Sequence, residues 1–538
     1  MKRTVLVLVA LAFALVMAPL AGARPDVAAA TPVTIQLLAV SDWHAQLDPI
    51  GTGAAATGGA SVISSYWKAD RVANPNSLTL TAGDAYGASP PLSGFFDEVP
   101  AVRAMNMMGF TADTFGNHNF DRGLTHLQQM IDLAEFDYVS ANLRNMDDEL
   151  DGAAPWQVYT VGGVKVGVVG ITNPEAPTLV FPGNFGTIVP TDPIPAANKA
   201  RAAAKKAGAK IVIAITHLGI TGTDPVTGER TGPLVDFAEN VGGFDVIFGD
   251  HTDVQYQSVI NNALVIENRS KGQTYSRTTL TVDSENGRTI SRASSFVTPL
   301  ASAVVKDQAI EDMLQPYRTA LAEKFDRVIG ETTGVFVRGS NIERVQEVAL
   351  GNLVTDAMRW RYGTQLALTN GGGLRAPIPS SYVPQDTTLR RSGCSVSTPC
   401  AVVLGDPFAV LPFGNIVVTR TVTGSQLWSV LEHGIGAMPS ANGRFPQISG
   451  FRFTYTTANP PGSRVLSVEL PDGTPINPDS TTYTFATNDF TNAGGDGYTM
   501  LADGQGTSRE VMADVLAAYI EELFTLTPTT EGRITRAG

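Results

Sequence analysis

Thiols and imidazoles are both scarce in this chain, with two cysteines and six histidines among 538 residues. So few thiols leave no room for an iron–sulfur cluster or a four-cysteine zinc site. Cys394 and Cys400, separated by five intervening residues in RSGCSVSTPC, instead suit a local disulfide closing a small surface loop, with free buried thiols as the alternative. Neither lies near a histidine motif, which argues against a thiol nucleophile. Basic residues are in deficit, 38 Lys+Arg against 51 Asp+Glu, for a net charge of −13. That excludes a nucleic-acid polymer as the main partner, because binding a phosphate backbone needs a basic face. Beyond the N-terminus no segment approaches the roughly 20 apolar residues of a membrane span.

The N-terminus is the exception. Lys2 and Arg3 precede an apolar run over residues 4–19, followed by Ala21-Gly22-Ala23. This pattern predicts a secretory signal over residues 1–23, cut after Ala23 or, at a second suitable site, after Ala30. An uncleaved N-terminal anchor is the alternative. The polar tail TPTTEGRITRAG carries no lipid-anchor signal. The expectation is an exported protein with no stable membrane insertion once the signal is removed.

Four of the six histidines fall in a set of five short motifs, each following an apolar, β-branched run. The motifs are Asp42-Trp43-His44, Gly83-Asp84, GNHNFD at 116–121, Thr216-His217 and GDHTD at 249–253; the runs are TIQLLAV, SLTLTA, FTADTF, KIVIAI and FDVIF. Loops at the carboxyl ends of strands in α/β sheets are where ligands gather. Two divalent ions about 4 Å apart need a shared carboxylate and several further N/O ligands. Asp84, directly after a glycine, is the natural bridge. Asp42 and His44, two apart on an extended chain, would point the same way. Asn117, His217, His251 and Asp253 complete a thiolate-free set suited to Zn, Mn, Fe or Co. Asp121, three residues beyond His118, can orient that imidazole if a helix begins there.

A chain of this length exceeds one core and predicts at least two domains. Strand-like and helical runs alternate from residue 33 to about 298, which predicts an α/β domain with sheets covered on both faces. Helical spacing over residues 304–326 predicts a linking helix. The boundaries expected are 33–303, 304–326 and 327–538. GTGAAATGGA at 51–60 reads as a loop leading into a helix, and no internal repeat is present.

The order D-x-H, GD, GNH-x-F-D, T-H-L-G and G-D-H-x-D resembles the calcineurin-type metallophosphatases, in particular the secreted 5'-nucleotidase / UDP-sugar hydrolase family. ALGNLVTDAM (349–358), LTNGGGLRAPI (368–378), LPFGN (411–415), FPQISGFRFTY (445–455) and ATNDFTNAGGDGYTM (486–500) resemble that family's nucleotide-binding domain. The implied fold is an N-terminal metallophosphatase sandwich of two mixed sheets flanked by helices, plus a C-terminal α/β nucleotide-binding domain. The implied activity is hydrolysis of nucleoside 5'-monophosphates by a two-metal-activated hydroxide, extending to UDP-sugars or 2',3'-cyclic nucleotides. One metal would take Asp42, His44, Asp84 and Asp253, the other Asp84, Asn117, His217 and His251. His118 would then serve the leaving group rather than a metal.

The resemblance also implies a substrate pocket. Arg344 and Arg375 would hold phosphate, and Phe413 and Phe490 would stack on the base. Asp496 would contact ribose, with Asn370, Gly372, Asn415 and Gly450 in the same pocket. Two departures stand out: Asn119 replaces a frequent Glu, and Asp253 replaces His or Gln. His126 and His433 fit no motif and read as structural. A sulfate-ester or thiosulfate-type hydrolase and a non-catalytic nucleotide-binding protein remain the alternatives. The oligomeric state is not legible.

Overall fold

The structure is a computed structural model that describes residues 32–51 and 53–537. The signal reading and its cleavage sites lie outside the described residues. Among those residues, no helix is long and apolar enough to cross a membrane.

The first half is a sandwich of two mixed sheets. The seven-stranded sheet runs Thr289–Val297, Tyr275–Asp283, Pro32–Val40, Ser77–Thr81, Ala112–Asp113, Asp137–Val139, Ala153–Ala154. The six-stranded sheet runs Tyr256–Ile260, Ala263–Glu267, Val246–Gly249, Ile211–Thr216, Val164–Ile171, Trp156–Val161. Strand alternation explains the layering. Ile35, Leu37 and Ala39 meet Val166, Val168, Ile211, Ile213 and Ile215 in the layer between the sheets. The intervening Leu38 and Val40 face the helices Ala60–Ala73 and Val99–Met108, and Val212 and Ala214 face Pro193–Lys206 and Pro233–Asn240. Central strands are therefore apolar on both faces, which is why they read as continuous hydrophobic runs.

The helix Gln308–Phe325 buries Ile310, Leu314, Leu321 and Phe325, at helical spacing, in the core shared with the first sheet's helices. Strands from Val328 onward pair only among themselves in the described residues. A five-stranded mixed sheet dominates this half, ordered Pro446–Ser449, Leu366–Asn370, Thr482–Asn488, Ile416–Thr423, Thr507–Val511. Helices Ala349–Tyr362 and Met512–Leu523 cover one face and Gly424–Gly434 the other. Cys394 and Cys400 form a disulfide at the head of strand Cys400–Val403.

The two sheets of the first half approach closely at Gly170, where a Cβ would overlap the carbonyl oxygen of Val139. Gly170→Ala must push backbone against backbone and is expected to destabilise the protein by about 3 kcal/mol. Gly242→Ala, where a Cβ meets nothing within 4 Å, is the control expected to be near neutral. Urea unfolding followed by tryptophan fluorescence compares them, and equal midpoints would refute the close-approach reading.

Candidate functional site

Five loops at the carboxyl ends of strands converge, and the backbone there is strained. Asp42 (φ 41°), His44 (φ 48°), Asp84 (φ 49°), His251 (φ 87°) and Asp253 (φ 54°) all lie in the left-handed region. Each such non-glycine residue costs on the order of 1 kcal/mol, so their concentration in the candidate donors marks a functional constraint. This corrects the extended-chain reading of Asp42 and His44. The strand stops at Val40, and tight turns rather than strand alternation aim the two side chains together. The turn is zipped to its neighbour by His44 N–H to Asp84 O (2.9 Å) and Ala45 N–H to Ala85 O (2.8 Å).

Asp84 is the hub. Its Oδ1 accepts from the His118 backbone N–H (2.8 Å), and its Oδ2 lies 3.1 Å from His217 Nε2. Its own N–H donates to Asn119 Oδ1 (3.2 Å), which also accepts from Gly116 N–H (2.8 Å). Gly116 must be glycine, because a Cβ there would overlap the Asp84 carboxylate. His217 Nε2 also faces Asn117 Oδ1 (3.2 Å) and His251 Nδ1 (3.1 Å). Two imidazole lone pairs, an amide oxygen and a carboxylate oxygen thus meet at one point, an arrangement that repels itself unless a cation or proton lies within it. The histidine tautomers suit a cation. His217 Nδ1 faces Ala82 O (3.1 Å) and His44 Nδ1 faces Gly87 O (2.9 Å), which directs each Nε2 lone pair inward. Asp42, His44 and Asp84 form a second donor group, with ligand atoms within 4.8 Å of one another. The two groups share Asp84, so the residues fit a pair of divalent ions.

The electrostatics agree. Burial opposes ionisation of Asp84, yet the charges of His217 and His118 hold its carboxyl far below the usual range. Burial likewise disfavours the His217 imidazolium, but Asp84 raises its pKa to about 9. A proton on His217 does what a bound cation would do. Burial, then the charge of His217, pushes His251 well below an ordinary histidine.

Asp253 departs from expectation. Its carboxylate accepts from Ser270 N–H (2.8 Å) and lies outside these donor groups. The left-handed turn at Asp253 delivers it to the neighbouring 268–274 turn. Asp250 occupies the nearer place, grouped with Asp42 and His217. Burial and then the Asp42 charge raise its pKa well above the ordinary carboxylate range. Sequence reasoning passed over Asp250, although the GDH triplet contains it, and over the loop-organising role of Asn119.

His118 begins a short 3-10 turn, His118–Phe120. Its Nδ1 lies 3.0 Å from both carboxylate oxygens of Asp121, leaving Nε2 unengaged in a ring that lines the cavity. Phe413 from the second half stacks on this imidazole at 5.5 Å and 17°.

A cavity of about 730 Å³ joins the halves and is lined by Asp42, His44, Asp84, Asn117, His118, Asp121 and His251 from the first. The second half contributes Arg344, Asn370, Gly372, Arg375, Phe413, Asn415, Phe490 and Asp496. Asp496 accepts from Asn370 Nδ2 (2.7 Å), while His433 Nε2 lies 2.8 Å from its main-chain oxygen. His433 therefore shapes the pocket from behind, and His126 Nε2 lies 3.1 Å from Asp97 O. Asn415 Nδ2 donates to Asp489 Oδ1 (2.8 Å). Arg375 Nη2 reaches to 3.3 Å from His44 Nε2, and burial followed by Arg338 and Arg344 lowers its pKa to about 9. Lys271, pulled down to about 7 by burial and then by Arg338 and Arg375, adds a cation that no motif flagged.

Gly450 is a correction. It is buried away from the cavity at φ 85°, where a Cβ would overlap Gln365 O and crowd Arg359. Its need is conformational. Phe413 and Phe490 share no ring contact with each other in this conformation; Phe413 lies on His118 and Phe490 packs beneath Gly495.

Residues 328–503 match the family described as 5'-nucleotidase, C-terminal domain. The chain is 28% identical over 510 residues to the trifunctional nucleotide phosphoesterase protein YfkN of Bacillus subtilis (strain 168), covering 85% of this chain and 32% of that protein. It thus spans about a third of the length of that relative. A 5'-nucleotidase of Diplobatis ommata is 27% identical over 556 residues, covering 94% of this chain and 90% of that one. The crystal structure of a 5'-nucleotidase precursor from Thermus thermophilus superposes with a TM-score of 0.80 at 27% identity, covering 94% of this chain and 100% of that one.

The hub geometry makes a prediction about metal content. Asp84→Asn removes the charge shared by both donor groups and should lower the divalent metal retained after dialysis, measured by plasma mass spectrometry. His118→Ala, whose side chain belongs to neither group, should retain wild-type content. Full metal in Asp84→Asn, or loss in His118→Ala, would reverse the two assignments.

Proposed function

The chain belongs to the 5'-nucleotidase family, and from that premise we propose that it is a hydrolase releasing phosphate from nucleoside 5'-monophosphates. The observation that carries this reading is one cavity in which the carboxylate–imidazole cluster and the His118–Asp121 pair face Arg344, Arg375, two phenylalanines and Asp496. A phosphate ester needs its spreading negative charge met, its leaving oxygen protonated and its organic part held. Each task has residues assigned to it here.

Asp42, His44, Asp84, Asn117, His217 and His251 would hold two divalent ions, and the N/O donor set suits Zn, Mn, Fe or Co. When bound, such ions supply Lewis acidity at the phosphoryl group. Arg344 and Arg375 offer guanidinium forks to phosphoryl oxygens. His118, held through Nδ1 by Asp121, presents Nε2 to the 5'-oxygen and gives it a proton as water oxygen bonds to phosphorus and the P–O bond to the 5'-oxygen breaks. Asp121 fixes the orientation of the ring. Asp496, fixed by Asn370, accepts from ribose hydroxyls, and Phe413 and Phe490 supply faces for the base. Stacking tolerates any base, which favours a broad nucleotide range. The N-terminal signal pattern together with the Cys394–Cys400 disulfide supports export to an oxidising compartment.

Phosphate release from AMP, UMP, UDP-glucose and p-nitrophenyl phosphate, measured with Zn, Mn and Co in turn, tests the reading. AMP and UMP should be hydrolysed, and His118→Ala should lower kcat by about 10²–10⁴-fold. Binding of AMP with no turnover under any metal would favour a non-catalytic binder, and release of sulfate or thiosulfate alone would favour the other hydrolase class.

The two phenylalanines should separate. Phe490→Ala should raise KM for AMP and UMP together with little change in kcat. Phe413→Ala should raise KM and also lower kcat for every substrate, because its ring covers His118. Identical kinetic profiles for the two variants, at matched melting temperatures, would refute the distinction.

A further inference from the structure

Lys271 stands where the two halves meet, and none of the tasks above uses it. It lies at φ 57° in the turn between strands Ala263–Glu267 and Tyr275–Asp283. Its backbone N–H donates to the carbonyl of Asp42 at 2.8 Å. Its Nζ donates across the junction to the main-chain carbonyl of Arg375 at 3.1 Å. Arg375 directs Nη1 toward Gly372 O at 3.4 Å and Nη2 toward His44 Nε2 at 3.3 Å. The contacts Asp42, Lys271, Arg375, His44 therefore close a ring, because Asp42 and His44 belong to one turn.

The chemistry of this ammonium is unusual for a residue that only packs. It is partly desolvated, and its one hydrogen-bond acceptor from the second half is a neutral carbonyl. Arg338 and Arg375 repel it, and Asp253 and Glu343 attract it less strongly. An apolar side chain would fill the same space without these costs. The position makes sense if the bond to the Arg375 backbone is itself what matters, since a guanidinium is only as well placed as the main chain that carries it.

We propose that Lys271 is a positioning residue: its ammonium holds the Arg375 main chain across the junction and so sets that guanidinium over the carboxylate–imidazole cluster. The consequence for phosphate binding rests on the nucleotidase reading; the contact between the halves does not. Lys271 would thereby link the metal-side turn to the phosphate-side arginine, and losing it would loosen both the closed arrangement and substrate affinity.

The full-length protein carrying Lys271→Met, Lys271→Gln or Lys271→Arg is compared with wild type in three measurements. These are small-angle X-ray scattering without substrate, thermal melting, and steady-state hydrolysis of AMP. Both neutral variants should scatter as more extended particles and raise KM for AMP about ten-fold, the size expected for one lost charge-assisted hydrogen bond. Their kcat should change little, and their Tm should stay within about 2 °C of wild type. Lys271→Arg, which keeps a cationic donor, should recover most of the KM. Unchanged scattering and KM in the neutral variants would overturn the proposal. So would a neutral-variant defect that Lys271→Arg does not relieve, or the failure of both neutral variants to fold. If wild type hydrolyses no nucleotide, the nucleotidase reading falls, and the scattering comparison alone decides the Lys271 contact.

Discussion

Burial of the Asp84 carboxylate is the constraint on which the site depends. A carboxylate with almost no solvent access cannot stay ionised unless donors and cations surround it. Each neighbouring loop supplies part of that surrounding: the His118 N–H, the His217 ring, and Asn119, which gathers the Asp84 and Gly116 amides. The glycine at 116 is the steric counterpart, since any side chain would occupy the carboxylate's place. Left-handed backbone at five candidate donors follows from the same demand, because a strand end must turn sharply to aim a short side chain inward. The sandwich beneath, apolar on both faces of its central strands, is stiff enough to hold that strain.

This organisation decides what could be read from the sequence. Asp42, His44, Asp84, His118, Asp121, His217 and His251 sit in short motifs at strand ends, where local chemistry and local geometry coincide. The alternation of the sheets was legible for a similar reason: Ile35, Leu37 and Ala39 share one layer because successive side chains must point to opposite faces. What failed depended on partners distant in sequence. Asp253 belongs to its motif, but its Oδ1 accepts from the amide of Ser270 and the residue lies outside the clustered donors. Gly450 lies in a motif of the nucleotide-binding half, yet its conformation serves packing against Gln365 and Arg359. Lys271 carries no motif, and its partner Arg375 is 104 residues away. The extended-chain reading of Asp42 and His44 reached the right neighbours through the wrong geometry, since a tight turn can bring two side chains together as well as a strand can.

The division of charge between the halves explains why the cavity lies between them. On its own the first half offers a substrate anion the buried carboxylates of Asp42 and Asp84, which would repel it. The chain as a whole is also negative, at −13. Screening at physiological salt confines that long-range field to about 8 Å from the surface, so the local charges decide what enters. The second half brings Arg338, Arg344 and Arg375, and Lys271 joins them at the junction. These cations are costly to hold together: burial and mutual repulsion pull Arg375 and Lys271 down to about 9 and 7. The repulsion is relieved when an anion sits among them, and by the same physics a cation in the carboxylate cluster relieves the repulsion there. An anionic ester bound across the junction, with cations on the opposite wall, satisfies both halves at once. The closed contact of Phe413 on His118 then excludes water, which strengthens each of those interactions. Neither half alone can provide that combination, so affinity for the anion and closure of the two halves must rise together.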